Sequence, residues 1–419
     1  MSENNALDLF SIHDIIANNK RLKLNIREFM QIKESPSGKI IKTLTGYYSF
    51  IPSRLPPKLE WTTQLVNALS RADHILGMLA REGVRLPNPH LLMRPFITKE
   101  AVLSSKIEGT QATLGEVLAN DAGANTQSNM DDLQEIHNYI VALEYGLKRL
   151  KELPLSLRLI KEIHEKLMQG VRGNHATPGE FRHSQNWIGT PGCTLSTAKY
   201  IPPTPEELME CLNDFELFLH DRTLPPLIHI AFCHYQFEAI HPFLDGNGRV
   251  GRLLITLLLL EQNLLPTPLL YLSAFFESTR DSYYKQLYDV SSQGTWHEWL
   301  LYFLNGVAVQ GLDVLSRAER INALITKWEA SVGGRFDGVV QEIIKNLAVN
   351  PYCTAKKITQ NLSVAFTTVQ RAISKLEEAC IISQTSKGKR DKVYCAEEIL
   401  KILEEPTKIT QNLDGTLSP

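Results

Sequence analysis

Apolar residues recur along most of this chain at the spacing of amphipathic helices, and the stretches where that spacing fails are short and rich in Pro and Gly. Residues 58–83 carry Leu65, Leu69, His74, Ile75, Met78 and Leu79 on one side, with Gly83 as a stop. Pro87, Pro89 and Pro95 then break the chain, and a helix is expected over TKEAVLSSKIEG, capped by Thr98 and ended by Gly109. Further helices are expected at 130–151, 155–169, 205–220, 226–240, 249–262 and 279–325. The one over 205–220 opens with Thr204, Pro205, Glu206 and Glu207, a cap followed by a first-turn proline and an acid. Residues 185–203 depart from the helical pattern, and their Trp, Ile, Thr, Gly and Pro around Pro191-Gly192 fit a short β-hairpin. Residues 1–57 are polar and proline-punctuated, a peripheral arm with some helix.

The character changes near residue 336. Short helices are expected at 336–347, 354–361 and 367–379, followed by an apolar pair, Ile381-Ile382, and a returning Lys392-Val393-Tyr394. Three short helices and a hairpin tipped by Lys387, Lys389 and Arg390 spell a winged helix-turn-helix. The division read from these patterns is an arm (1–57), a helical region (58–135), a central helical core (136–305), a helical linker (306–335), the winged helix (336–400) and a loose tail (401–419). The fold class is mainly α, with one small hairpin and a C-terminal winged-helix domain.

Composition narrows the classes. Hydrophobic residues make up 43% and charged residues 21%, with 44 basic against 46 acidic side chains, which excludes wholesale disorder and a chain-wide polycation. The most apolar run, 253–260, is far shorter than a bilayer requires, so no membrane partner is expected. The N-terminus lacks the basic and then apolar order of a secretory signal, and the six cysteines are spread singly without a CxxC pair. A cytoplasmic location is the expectation.

Chemistry concentrates in His241-Pro242-Phe243-Leu244-Asp245-Gly246-Asn247-Gly248-Arg249-Val250-Gly251-Arg252, between two stretches that are apolar nearly all round. Pro242 disfavours helix at His241. Gly246, Asn247 and Gly248 give three consecutive positions tolerant of positive φ, which would gather backbone N–H groups into one concavity at the start of the next helix. Phosphate is the expected anion. Arg249 and Arg252 add cations on the first turn, Asp245 is a hard oxygen ligand of the kind Mg²⁺ accepts beside phosphates, and His241 is the group there able to take a proton near neutrality. With no Ser or Cys paired to it, His241 would activate a hydroxyl on another molecule.

This segment resembles the Fic family of protein AMP-transferases, whose motif HxFx(D/E)GNGRxxR is matched at every specified position. The resemblance extends over the helices from about 60 to 305 and implies a Fic-type helical core with a hairpin flap. It implies transfer of AMP from ATP to a Ser, Thr or Tyr hydroxyl of a target protein. His241 would be the base, Asp245 the Mg²⁺ ligand, Gly246, Asn247, Gly248 and Arg249 the phosphate cradle, and Arg252 the partner of the terminal phosphate.

Ser104 and Glu108 stand four apart on one helix face and match the family's inhibitory pattern (S/T)xxxE(G/N), in which the glutamate pairs with the second arginine of the motif, here Arg252. Glu108 would then be a brake. The hairpin at 185–203 matches the flap that holds the target peptide. Tyr283 and Tyr284 resemble the adenine-side tyrosines of some relatives, although aromatic pairs at helical spacing also serve as core. His229 and His234, five apart, read as packing residues. The resemblance also implies a homodimer, and the winged helix implies either DNA, read by Thr367, Thr368, Gln370 and Arg371, or a docked protein. Two other functions fit the same residues: removal of AMP from a modified protein, and a nucleotide-sensing transcriptional regulator.

Overall fold

A computed structural model describes residues 32–85, 89–124, 129–171, 177–190, 192–332, 338–386, 392–411 and 417–418. Fifteen helices are present among them. The first described residues form sheet: β1 (Ile32–Ser35), β2 (Gly38–Lys42) and β3 (Tyr48–Pro52) make an antiparallel meander in that order. Some helix had been expected across this arm; over 32–52 the turns at Pro36-Ser37 and Thr43–Gly46 instead punctuate three β runs. Residues 1–31 lie outside the described residues.

The helical body follows as α1 (Thr63–Arg85), α2 (Pro89–Ile107), α3 (Leu114–Asp121), α4 (Met130–Arg149), α5 (Leu157–Leu167), α6 (Pro205–Leu219), α7 (Pro226–Ile240), α8 (Asn247–Glu261), α9 (Ser273–Ser278), α10 (Arg280–Gln293) and α11 (Trp296–Val332). Gly83 does not stop α1, and its core side is Leu65, Ala72, Ile75, Leu76 and Leu79, whereas His74 and Met78 face outward. Pro95 does not break α2. The helix starts six residues before it, and Thr98 is interior, its hydroxyl donating to the Arg94 carbonyl at 3.0 Å. Thr204 sits at the start of α6 with an extended backbone but makes no side-chain capping bond.

The stretch expected as one helix over 279–325 is broken by Gly294 at φ 72°, which separates α10 from α11. Conversely, α11 runs 37 residues without interruption through the expected boundary at 305/306. This helix is long and apolar enough to cross a bilayer, yet Trp299, Leu300, Phe303, Leu304 and Val307 are buried and it packs along α1.

The C-terminal module has α12 (Gly338–Val349), β4 (Tyr352–Thr354), α13 (Ala355–Leu362), α14 (Phe366–Glu378), β5 (Ser383–Gln384), β6 (Val393–Cys395) and α15 (Glu397–Glu404), with sheet order β4-β6-β5. Lys387, Lys389 and Arg390 lie outside the described residues. The module is docked on the body: α12 packs on α2, Glu404 accepts the Gly115 N–H at 3.1 Å, and Asn350 and Thr354 donate to the carbonyls of Leu118 and Ala122 at 2.8 and 3.1 Å. The expected loose tail is in part ordered. Arg317 of α11 donates to the carbonyls of Ile402 and Glu405, and Arg320 pairs with the Glu405 carboxylate.

Candidate functional site

Helices α7 and α8 are buried on nearly all sides and occupy the middle of the body, so the loop joining them is held on rigid supports. His241 ends α7 in the left-handed region (φ 50°, ψ 61°), its N–H still bonded to the Phe237 carbonyl at 3.0 Å. This is where the Pro242 argument placed the exit. The three-residue run of positive φ is not what forms: only Gly246 (φ 77°) adopts it, and α8 begins at Asn247. Gly246 has no room for a Cβ, which would meet Met168 Sδ at 2.9 Å. The Asn247 side chain turns back to the loop, accepting the Phe243 N–H and donating to the Phe243 carbonyl, both at 2.8 Å. It locks the loop instead of facing a ligand. The first-turn N–H groups of α8 lack intrahelical acceptors and carry the positive end of its dipole.

Asp245 stands at this end with a side chain 57% exposed, accepting the Gly246 N–H at 2.6 Å and lying 3.6 Å from Arg249 Nη2. Arg249 is buried, 3.4 Å from Glu135, and its Nε has no partner. An orphaned buried donor beside an exposed carboxylate suits a phosphate with a magnesium ion, since that metal takes few protein oxygens. Among the described residues, no group of three or more His, Cys, Asp or Glu is placed to hold a metal alone.

Arg252 is held differently. Its side chain is 1% exposed; Nε donates to Ser104 Oγ at 2.9 Å, and Nη2 donates to the Ser104 carbonyl at 2.9 Å and to Glu108 Oε1 at 2.6 Å. Gly248 makes this possible, because a Cβ there would fall 2.2 Å from Glu108 Oε1. Burial, the largest single influence, pushes the Glu108 carboxyl up, but the charge and hydrogen bond of Arg252, with Arg249 and His241, together outweigh it and hold the group below the usual carboxylate range. Arg252 therefore meets Ser104 and Glu108, over a hundred residues before it in sequence, at one point.

His241 Nδ1 lies 3.3 Å from the Glu238 carbonyl. A carbonyl only accepts, so Nδ1 carries the proton and Nε2 keeps its lone pair. Burial first, and then the Arg182 charge, push its pKa down to about 4, leaving it a neutral base through the neutral range.

Tyr283 and Tyr284 part company. Tyr283 is 1% exposed, stacked 4.4 Å from Phe276, with its hydroxyl 2.8 Å from His234, so it is core rather than a ligand contact. Tyr284 is 36% exposed, with Arg280 over its ring. His229 and His234 are packing residues, bonded to the carbonyls of Phe218 and Gly251. The expected hairpin over 185–203 is reduced to one bridge, Ile188 to Tyr200, and hangs on β3 through the Phe50 N–H to the Ile201 carbonyl at 2.9 Å; Pro191 lies outside the described residues. Thr367, Thr368, Gln370 and Arg371 are exposed on α14.

Two of the groups that escaped the sequence reading stand close to the loop. His164 of α5 accepts the Gly179 N–H at Nδ1 (2.9 Å), which leaves Nε2–H to donate to the Asp245 carbonyl at 3.1 Å, and its ring stacks 3.7 Å from Phe243. Glu238 lies against Gly251 with Oε1 unpartnered, and burial lifts its carboxyl to about 7. Glu238 inside the apolar α7, and His164 in line with the apolar face Leu157, Ile160, Ile163 and Leu167 of the amphipathic α5, were the available signals.

Two family models match the chain, Fic/DOC family N-terminal over residues 66–148 and Fic/DOC family over residues 154–259. The protein adenylyltransferase Fic of Drosophila erecta is 32% identical over 164 residues, 37% of this chain and 30% of that protein. That of Drosophila virilis is 32% identical over 165 residues, 37% of this chain and 31% of that protein. The chain thus spans less than a third of the length of these curated relatives. A crystal structure of a Fic family protein from Desulfovibrio desulfuricans G20 superposes with a TM-score of 0.55 at 21% identity, covering 82% of this chain and 98% of that one, a likeness of fold.

Proposed function

We propose, from the Fic/DOC family matches over residues 66–148 and 154–259, that this chain is a Fic family protein and a protein adenylyltransferase, moving AMP from ATP to a side-chain hydroxyl of a target protein or of itself. The observation that carries this reading is a neutral His241, its Nε2 free, at the lip of a helix N-terminus lined by Arg249 and Arg252. His241 takes the proton of the target hydroxyl as its oxygen attacks the α-phosphorus. The new P–O bond forms in line with the bridging bond that breaks, and pyrophosphate leaves with the electron pair. The α8 N–H groups and Arg249 bind the phosphates, and Asp245 would hold a magnesium ion that neutralises phosphate charge.

Glu108 is the brake in this reading: while its carboxylate holds Arg252, the terminal phosphate lacks its partner and ATP is not aligned. The C-terminal module is read as a winged helix whose exposed Thr367, Thr368, Gln370 and Arg371 face DNA or a docked protein. Incubation of the protein with ATP labelled in its adenosine moiety and a cell lysate, followed by mass spectrometry, tests the transferase. AMP on Ser, Thr or Tyr is expected. Hydrolysis of pre-attached AMP without any addition would favour the reverse reaction instead.

A further inference from the structure

Arg182 is 2% exposed, and among the described residues no carboxylate pairs with its guanidinium. Its donors go to carbonyls. Nε donates to His241 O at 2.9 Å, Nη2 to Pro203 O at 2.6 Å and Ile240 O at 3.4 Å, and Nη1 to Ser184 O at 3.3 Å, while its own N–H donates to Pro242 O at 2.9 Å. Ser184 and Pro203 are the two roots of the hairpin. Ile240 and His241 are the last residues of α7, whose carbonyls point away from any intrahelical donor and carry the negative dipole end. One planar fork therefore fastens both feet of the flap to the left-handed turn that aims His241.

A buried cation without a counter-charge is costly, and four carbonyl dipoles only partly offset that cost. Lys could not reproduce the arrangement, because a single ammonium does not spread donors over carbonyls from three segments. We propose that Arg182 is a positioning residue of the transfer reaction, tying the flap to His241 so that the seating of a target hydroxyl and the aim of the base are one geometry. The proposal rests on His241 being the base. It adds a second consequence, electrostatic in origin. The groups facing the imidazole are Arg182 before the flap, Glu108 after α2, Asp245 in the loop and the Glu238 carbonyl on α7. After burial, Arg182 is the cation that opposes a proton on the ring, while the other three favour one.

Charge and geometry separate in two variants, each made with Glu108→Gly so that self-modification by labelled ATP can be read. Arg182→Gln removes the charge and keeps two donors; the acid limb of its pH–rate profile should move up by roughly one unit. Arg182→Lys keeps the charge and loses the fork; its acid limb should stay in place while its rate drops by roughly 10- to 100-fold, as for a misplaced reacting group. ATP binding to both should match the parent, since the cradle is intact. If Arg182→Gln does not fold, Arg182→Lys alone decides: a roughly 10- to 100-fold drop in rate with ATP binding intact supports the proposal, and a parental rate in the folded variant overturns it. A parental rate and acid limb in Arg182→Gln would also overturn it. His241→Ala in the same background tests the base separately. Full activity there removes His241 as the base, and the Arg182 proposal with it, whereas a dead His241→Ala beside a parental Arg182→Gln refutes Arg182 alone.

Discussion

Arg249 and Arg252 leave the same helix one turn apart, and their surroundings have little in common. Arg249 faces Glu135 at 3.4 Å and Asp245 at 3.6 Å, with its Nε unpartnered. Arg252 has a short bond to Glu108 at 2.6 Å and two bonds to Ser104 at 2.9 Å. Loose pairing leaves a guanidinium ready to exchange its partners for phosphate; a charge-assisted bond backed by a serine does not. One end of the site is open for a ligand, and the other is already filled by the protein itself.

The largest effect expected is at the open end. His241→Ala should leave ATP binding intact and lower transfer by about 10²- to 10⁴-fold, the usual worth of a general base; a labelled-ATP assay beside a binding titration reads both. Glu108→Gly at the filled end should raise transfer on the order of 10- to 100-fold, the weight of one hydrogen bond to a charged group. Arg249→Ala should weaken ATP binding roughly 10-fold, whereas Arg252→Ala in the braked protein should hardly change it, because Arg252 is occupied by Glu108. Equal effects from the two arginines would abolish the distinction. Ser104→Ala removes one of the bonds on Arg252 and should raise transfer about two- to fivefold, measured by self-modification. The pH profile sharpens the open end. His241 is depressed to about 4, so the base is lost only as pH falls through that region, and transfer should hold level from pH 7 to 6. A midpoint near 6.5 would mean an ordinary, solvated histidine.

How far these features could be read from the sequence depended on how local they are. The loop 241–252 was legible because proline, glycine and first-turn arginines act on their own neighbours, and Ser104 and Glu108 because a helix places i and i+4 together. Asn247 was read as part of the cradle, yet its short side chain found the Phe243 backbone first. Pro95 was read as a break, but it is accommodated inside α2. The sheet over 32–52 and the supports His164, Glu238 and Arg182 were missed because their partners are distant in sequence: the bond from Phe50 to Ile201 and that from His164 to Asp245 exist only once the body is packed. Tyr283 and Tyr284, adjacent in sequence, could not be told apart until packing buried one and left the other at the surface.

The claim at the centre of this account is that Glu108 restrains the enzyme through Arg252 and through nothing else. It is tested most directly by self-modification with labelled ATP in four proteins on one gel: the unaltered chain, Glu108→Gly, Arg252→Ala, and the two changes combined. The account predicts a strong signal for Glu108→Gly alone, with the double variant falling back to the level of Arg252→Ala. A double variant as active as Glu108→Gly would show that the released guanidinium is not what the removal of Glu108 provides.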